Sequence, residues 1–164
     1  MAKITKQKAR KQYECGRCGR IIEKGKEYRK TTPRYSPKKI RCSDSGCYFR
    51  FSELVTSDKL SRAYKLVERL QEMDNPNKDD AVGELNIVAE EAREIASEYQ
   101  ESTDNIMEYF PNGNSQSEEC EEKCGYLEEW ADNLENLASE IDEGDVPDEE
   151  TGEKISDIAG ELSL

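Results

Sequence analysis

Six cysteines carry the clearest chemistry in this sequence, and their spacing sorts them into groups. Cys15 and Cys18 enclose two residues, Cys42 and Cys47 enclose four, and 23 residues separate the two pairs. Thiolates are soft ligands, and two short chelating pairs can each span one edge of a tetrahedron. This is the spacing of one structural Zn2+ held by four Cys, here Cys15, Cys18, Cys42 and Cys47. Gly16, Gly19 and Gly46 sit beside the ligands where tight turns are needed. A redox dithiol at Cys15/Cys18 and a pair of disulfides are the competing readings. A thioredoxin-type pair would open a helix after a buried strand, and Tyr13-Glu14 offers no such strand. The basic N-terminus has no apolar stretch of a secretory leader, so the expected compartment is cytoplasmic and reducing, where metal ligation is favoured over disulfides.

Cys120 and Cys124 lie one helical turn apart, far from the other four. The sharper reading makes them half of a second metal site completed by another chain. The plainer one makes them small apolar core residues, and it is preferred because that half holds no other Cys and no His.

The rest of the inventory excludes chemistry. Histidine is absent, which removes every Ser–His or Cys–His mechanism and every His ligand. Neighbouring carboxylates such as Glu118/Glu119 do not face each other on a helix, so they are not acid–base pairs. Neither a nucleophile–base pair nor an open catalytic metal can be assembled, and the chain reads as a non-enzyme without a small-molecule substrate. Only 34% of the 164 residues are hydrophobic and 37% are charged, with mean hydropathy −0.98. Such a chain favours thin or metal-held structure over a large core, and no apolar run is long enough to span a membrane.

The net charge of −13 conceals two halves of opposite sign. Residues 1–70 hold 20 Lys and Arg against 7 Asp and Glu, whereas residues 71–164 hold 4 against 30. Asymmetry of this kind points to a nucleic-acid or protein-surface partner. In the basic half, Lys8, Arg10, Lys11, Arg17, Arg20, Arg29, Arg34, Lys38, Lys39 and Arg41 are interleaved with aromatics, of which Tyr35 in a Pro-flanked loop is the best stacking candidate. Cations with aromatics among them suit phosphate contacts and base stacking, and no base-reading motif is present.

The elements that must position these residues follow from pattern. Residues 1–12 read as a flexible basic arm. Ile21 to Tyr28 and Lys39 to Arg41 read as short strands, and Ser52 to Met73 as a helix with Leu60, Ala63, Val67 and Leu70 on one face. The run Cys15-x2-Cys18-x2-Ile21-x3-Gly25-x2-Tyr28 resembles the knuckle and first strand of treble-clef zinc modules over about residues 13–57. That resemblance implies that Cys42 and Cys47 sit near the start of the following helix, although four residues between them is a departure from the usual two.

Pro76 ends the first module, giving boundaries of 1–12, 13–75, 76–142 and 143–164. In the third segment Ala81, Leu85, Val88, Ala92, Ile95, Tyr99, Ser102, Ile106 and Tyr109 step by four and three, as do Cys120, Cys124, Leu127, Ala131, Leu134, Ala138 and Ile141. Sustained heptads joined by a short turn at 110–117 predict an antiparallel coiled-coil hairpin, with a capping box from Ser115 to Glu118. Trp130 and Leu137 lie beside the seam and are candidate partner-binding residues, for a protein or a second copy. The tail, 143–164, has an amphipathic segment at Ile155, Ile158, Ala159 and Leu162 that is docked, disordered or ordered on binding.

The fold class expected is therefore a small α+β zinc module (knuckle, β-hairpin, helix) followed by an all-α acidic helical hairpin. Its leading function is nucleic-acid-associated regulation through the basic head, with the hairpin for dimerisation or protein contact. The alternative is an inhibitor or adaptor whose acidic rod competes with nucleic acid. In size and style the chain is similar to accessory proteins of phages and other mobile elements.

Overall fold

The computed structural model describes residues 1–33, 37–73, 76–162 and 164, an α+β chain that divides into two compact units, Met1–Tyr64 and Lys65–Leu164. The first holds β1 (Thr5–Lys8), β2 (Tyr13–Glu14), β3 (Ile21–Ile22), β4 (Glu27–Thr31) and β5 (Lys39–Cys42), then a 3-10 turn at Phe51–Glu53 and the start of α1 (Asp58–Gln71). The second holds the end of α1, then α2 (Lys78–Tyr109), α3 (Ser115–Glu143) and α4 (Asp148–Glu161).

In the first unit β1, β4 and β5 form an antiparallel sheet in that order, while β2 and β3 pair separately. The expected flexible arm is therefore corrected: Thr5 pairs with Lys30 and Lys8 with Glu27. Beyond the strand, Ala9 and Gly25–Lys26 exchange two backbone hydrogen bonds of 2.8 Å. The arm hides its strand because its inward residues are Thr5, Gln7 and the buried Ala9, whereas Lys6, Lys8 and Arg10 alternate outward. Around Ala9 the core gathers Cys15, Ile22, Tyr28 and Cys47, with Tyr13, Ile40 and Cys42 packed against it. Sulfur supplies much of this core.

The helix expected from Ser52 starts later, and Cys47 does not lead straight into it as a treble clef would require. The Ser57 hydroxyl accepts from the Leu60 amide at 3.5 Å and starts α1 there, after the β-branched Val55 and Thr56. Asn75, at the expected boundary, lies outside the described residues; the two compact units divide between Tyr64 and Lys65, within α1. Leu66, Val67 and Leu70 are buried, and Arg69 pairs with Glu84 and with Glu91 of α2.

In the second unit the predicted seam is buried from Ala81 through Tyr99 on α2, with Thr103 continuing it in place of Ser102 and Tyr109 left exposed. On α3 it is buried from Cys124 to Ile141. At 32 residues α2 is about 48 Å long. Lys78 near its start pairs with Asp142 near the end of α3, and Arg93 pairs with Asp132 and Glu135. The α3 cap is Asn114, one residue before the expected Ser115. Its side chain accepts from the Gln116 and Ser117 amides, and the Ser117 hydroxyl accepts from the Asn114 amide. Asn is as good a cap as Ser, and Ser117 supplies the return bond expected of Glu118.

The tail is docked. Thr151, Ile155, Ile158, Ala159 and Leu162 are buried, and the Trp130 indole donates to the Ile158 carbonyl at 2.8 Å. Trp130 and Leu137, expected as partner-binding residues, are both buried, and Trp130 is bonded to α4 of the same chain. Among the described residues no helix is long and apolar enough to cross a membrane.

Candidate metal centre

Cys15 follows β2, Cys18 lies in the turn before β3, Cys42 ends β5, and Cys47 closes the loop after it. The first turn is closed by bonds from the Gly19 amide to the Cys15 carbonyl and from the Cys15 amide to the Arg20 carbonyl, both 2.9 Å. Gly19 has φ +71°, which a side chain would oppose. The Gly16 amide bonds to the Ile40 carbonyl at 3.0 Å, drawing this turn onto β5. A Cβ on Gly16 would lie 2.6 Å from Nη1 of Arg41, so a side chain there would have to displace the Arg41 guanidinium.

The four sulfur atoms all lie within 4.8 Å of one another, and those of Cys18 and Cys42 are 3.8 Å apart. A tetrahedral ion with Zn–S bonds of about 2.3 Å has S···S edges of about 3.8 Å. The donor set therefore fits an ion held by four thiolates, the geometry that Zn2+ takes, with Cys15, Cys18, Cys42 and Cys47 as its holders. Four protein ligands leave no open coordination position, so the ion supplied would be a cross-link.

The thiols differ in ways that a cation would reconcile. Burial raises Cys15, but hydrogen bonds from the backbone of Cys18, Cys42 and Arg17 bring its pKa down to about 6. The Cys42 amide donates to its sulfur at 3.3 Å. Cys47 is pushed up to about 12 by its hydrogen bond with Cys42 and by burial. Burial likewise raises Cys42. One site is thus prepared as a thiolate, and its crowded neighbours need a metal to lose their protons.

Several residues expected to contact nucleic acid also make contacts around this centre. Arg29 donates to the carbonyls of Cys42, Asp44 and Cys47, holding the second ligand loop. Arg41 is 7% exposed, pairs with Glu53 and lies 5.2 Å from the centre of the Phe49 ring, which removes it from any phosphate surface. Register puts Lys6, Arg29 and Arg41 opposite one another across the sheet, and such like charges need internal partners. Lys39 also reaches Glu53 at 3.9 Å. Arg20 pairs with Asp44, and Arg17 lies 4.3 Å from the centre of the Tyr48 ring. Lys11 and Lys38 lie over Tyr13 while remaining exposed, as are Lys8 and Arg10. Arg34 and Tyr35 lie outside the described residues.

Sequence reasoning missed Glu53, the carboxylate on which Arg41 and Lys39 converge. Its signal was available: it is the only acid between Asp44 and Asp58. Cys120 and Cys124 join no metal-holding group among the described residues; Cys124 is buried, which raises its thiol further, as do Glu128 and Glu121. No protein-family model, curated protein or solved structure matches the chain.

Proposed function

We propose that this chain is a non-enzymatic zinc protein whose four-cysteine unit binds nucleic-acid phosphates while the acidic helical unit contacts protein. The observation that carries the reading is the outward row of cations on β1 and just after it: Lys6 and Lys8 are exposed on a strand paired with β4, and Arg10 and Lys11 are exposed directly after Ala9, whose backbone is bonded to Gly25 and Lys26. Cations fixed on a strand offer phosphates a preorganised row, and the unit carries 18 Lys and Arg against 6 Asp and Glu. We read the unit as treble-clef-like in its knuckle and first hairpin.

Titration of the zinc-loaded full chain with duplex DNA, single-stranded DNA and RNA at several salt concentrations tests the reading. Affinity should fall steeply with salt, and replacing Lys8 and Arg10 by Gln should reduce the log–log salt slope by about two. Absence of salt-sensitive binding to any of the three would sink it.

A second reading, in which the acidic unit competes with nucleic acid for a basic protein, draws on the charge balance of Lys65–Leu164. Arg69, Lys78, Arg93, Lys123 and Lys154 each pair with a carboxylate, yet 6 Lys and Arg face 31 Asp and Glu there. Under this reading the chain displaces DNA from a basic partner and does not itself bind DNA.

A further inference from the structure

One face of α3 bears Glu118, Glu122, Tyr126, Glu129 and Asn133, spaced by three and four residues. Two hollows lie along it. The first, about 520 Å³, is lined by Glu118, Glu121, Glu122, Gly125, Tyr126 and Glu129. The second, about 300 Å³, shares Tyr126 and Glu129 and extends to Trp130, Asn133 and the end of α4 at Glu161 and Leu162. The two adjoin at Tyr126 and Glu129, and together they make a shallow, open groove-like face with Tyr126 at its centre.

Three features of this groove are unexplained by the packing of the unit. The Tyr126 side chain is 46% exposed in the middle of a long helix, its ring oriented by a 3.2 Å hydrogen bond from its hydroxyl to Glu122. Beside it, Gly125 lies inside α3, where glycine weakens a helix relative to alanine, and a Cβ there would meet nothing within 4 Å. Nothing within the chain needs that side chain to be missing, and its absence leaves room next to the ring. Finally, Glu118 stands three and four residues before Glu121 and Glu122, spacings at which like charges destabilise a helix. Among the described residues no Lys or Arg forms an ion pair with Glu118, Glu121, Glu122 or Glu129; nearby Lys123 is turned to Glu119.

A planar cation answers all three. A guanidinium stacks on a tyrosine face and meets carboxylates through a fork of donors, which an ammonium cannot do equally well. Glu122 and Glu129 lie about one turn to either side of Tyr126, placed to receive it. We propose that this groove docks an arginine-bearing segment of a partner protein, with one arginine stacked on Tyr126 in the space left by Gly125 and paired with Glu122 and Glu129. The assignment rests on the protein-contact half of the function proposed above, and it names the face and the chemistry of the partner.

The test uses calorimetric titration of the zinc-loaded full chain with a short peptide carrying arginine at every third or fourth position, and with its lysine counterpart. Gly125→Leu fills the hollow and Tyr126→Ala removes the ring; neither changes the charge, and leucine favours helix, so loss of binding is not loss of fold. The arginine peptide should bind several-fold tighter than the lysine peptide, and each variant should weaken it by about tenfold. Equal binding of both peptides by all three proteins would reduce the groove to undirected charge attraction and overturn the proposal, as would no binding at all. Concentration-dependent self-association abolished by Gly125→Leu would make the occupant a second copy and overturn the partner assignment. DNA affinity measured on the same proteins separates the two readings. DNA binding without peptide binding removes the groove alone, and peptide binding without DNA binding removes the nucleic-acid reading alone.

Discussion

The two units of this chain solve the problem of burial by different means. Met1–Tyr64 has strands of two to five residues, and two of its buried core residues, Cys15 and Cys47, are metal-ligand candidates. Lys65–Leu164 buries Leu85, Ile95, Leu127, Leu134, Ile141 and Ile155 almost completely, along helices of up to 32 residues. A unit whose core is partly sulfur depends on what binds the sulfur, whereas a unit with a continuous aliphatic seam does not. The difference implies that the halves can be broken independently, each by an agent to which the other is indifferent.

The largest effect should come from the metal. Structural zinc contributes about 10–16 kcal/mol of apparent binding free energy in small modules, more than a sheet this small can replace. Cys15→Ser, or chelation in reductant, should abolish amide-exchange protection across β1, β4 and β5 and leave that of α2 and α3 intact. Persistence of slow exchange at Tyr28 and Arg41 without metal would break the comparison. Acid should act in the same direction. Cys42 and Cys47 have raised pKa values, so ion uptake at neutral pH displaces their protons, and affinity should fall as pH falls, by about tenfold per pH unit for each proton displaced. Proton release on zinc addition, read with a pH indicator, checks the sign.

Next in size is the aliphatic seam. Leu134 is fully buried on α3, and Leu134→Ala should cost about 2–5 kcal/mol. Thermal unfolding followed by the helical circular dichroism signal should shift to lower temperature while zinc content stays at one ion per chain. A variant that lost zinc as well would show that the units are not separable.

These outcomes bear on what sequence alone revealed. The ligands and the seam were legible because each is a repeated spacing: Cys pairs in one case, steps of three and four in the other. What escaped was structure made by single contacts. The β1 strand was hidden because Thr5, Gln7 and Ala9 are its inward residues, none of them strongly apolar. The brace on the metal centre was hidden because Arg29 and Arg41 look identical in sequence to the exposed Lys8 and Arg10, and only the register beside Glu53 and the ligand carbonyls distinguishes them. Trp130 and Leu137 lie beside the seam in the sequence, but pattern cannot say that Trp130 meets α4 of the same chain.

That contact gives a smaller effect. Trp130→Phe keeps an aromatic ring but removes the pyrrole part of the indole with its N–H, leaving the Ile158 carbonyl without its donor. The cost should be about 1–3 kcal/mol. It should concentrate in α4, so exchange at Ile155 and Ala159 should accelerate more than exchange at Leu85. Uniform acceleration through the whole unit would mean that α4 is part of the seam's cooperative fold and not a cover added to it.

The smallest effect belongs to the ion pairs that tie α2 to α3. Arg93 reaches Asp132 and Glu135 with both sides substantially exposed, so Arg93→Ala should cost no more than about 1 kcal/mol. The hydrogen bond from Arg93 holds the Glu135 carboxyl below its ordinary value. A carboxyl depressed in the folded state adds stability above its unfolded pKa and loses it as pH falls through the folded one. The gap between wild type and Arg93→Ala should therefore be full at neutral pH, shrink as the solution is acidified below the ordinary glutamate range, and shrink also in high salt. Denaturant midpoints of the two proteins at neutral and acid pH would measure it. A gap that survives both acid and salt would assign Arg93 to packing of its aliphatic stem against α3, and the helical unit would then owe even this contact to burial.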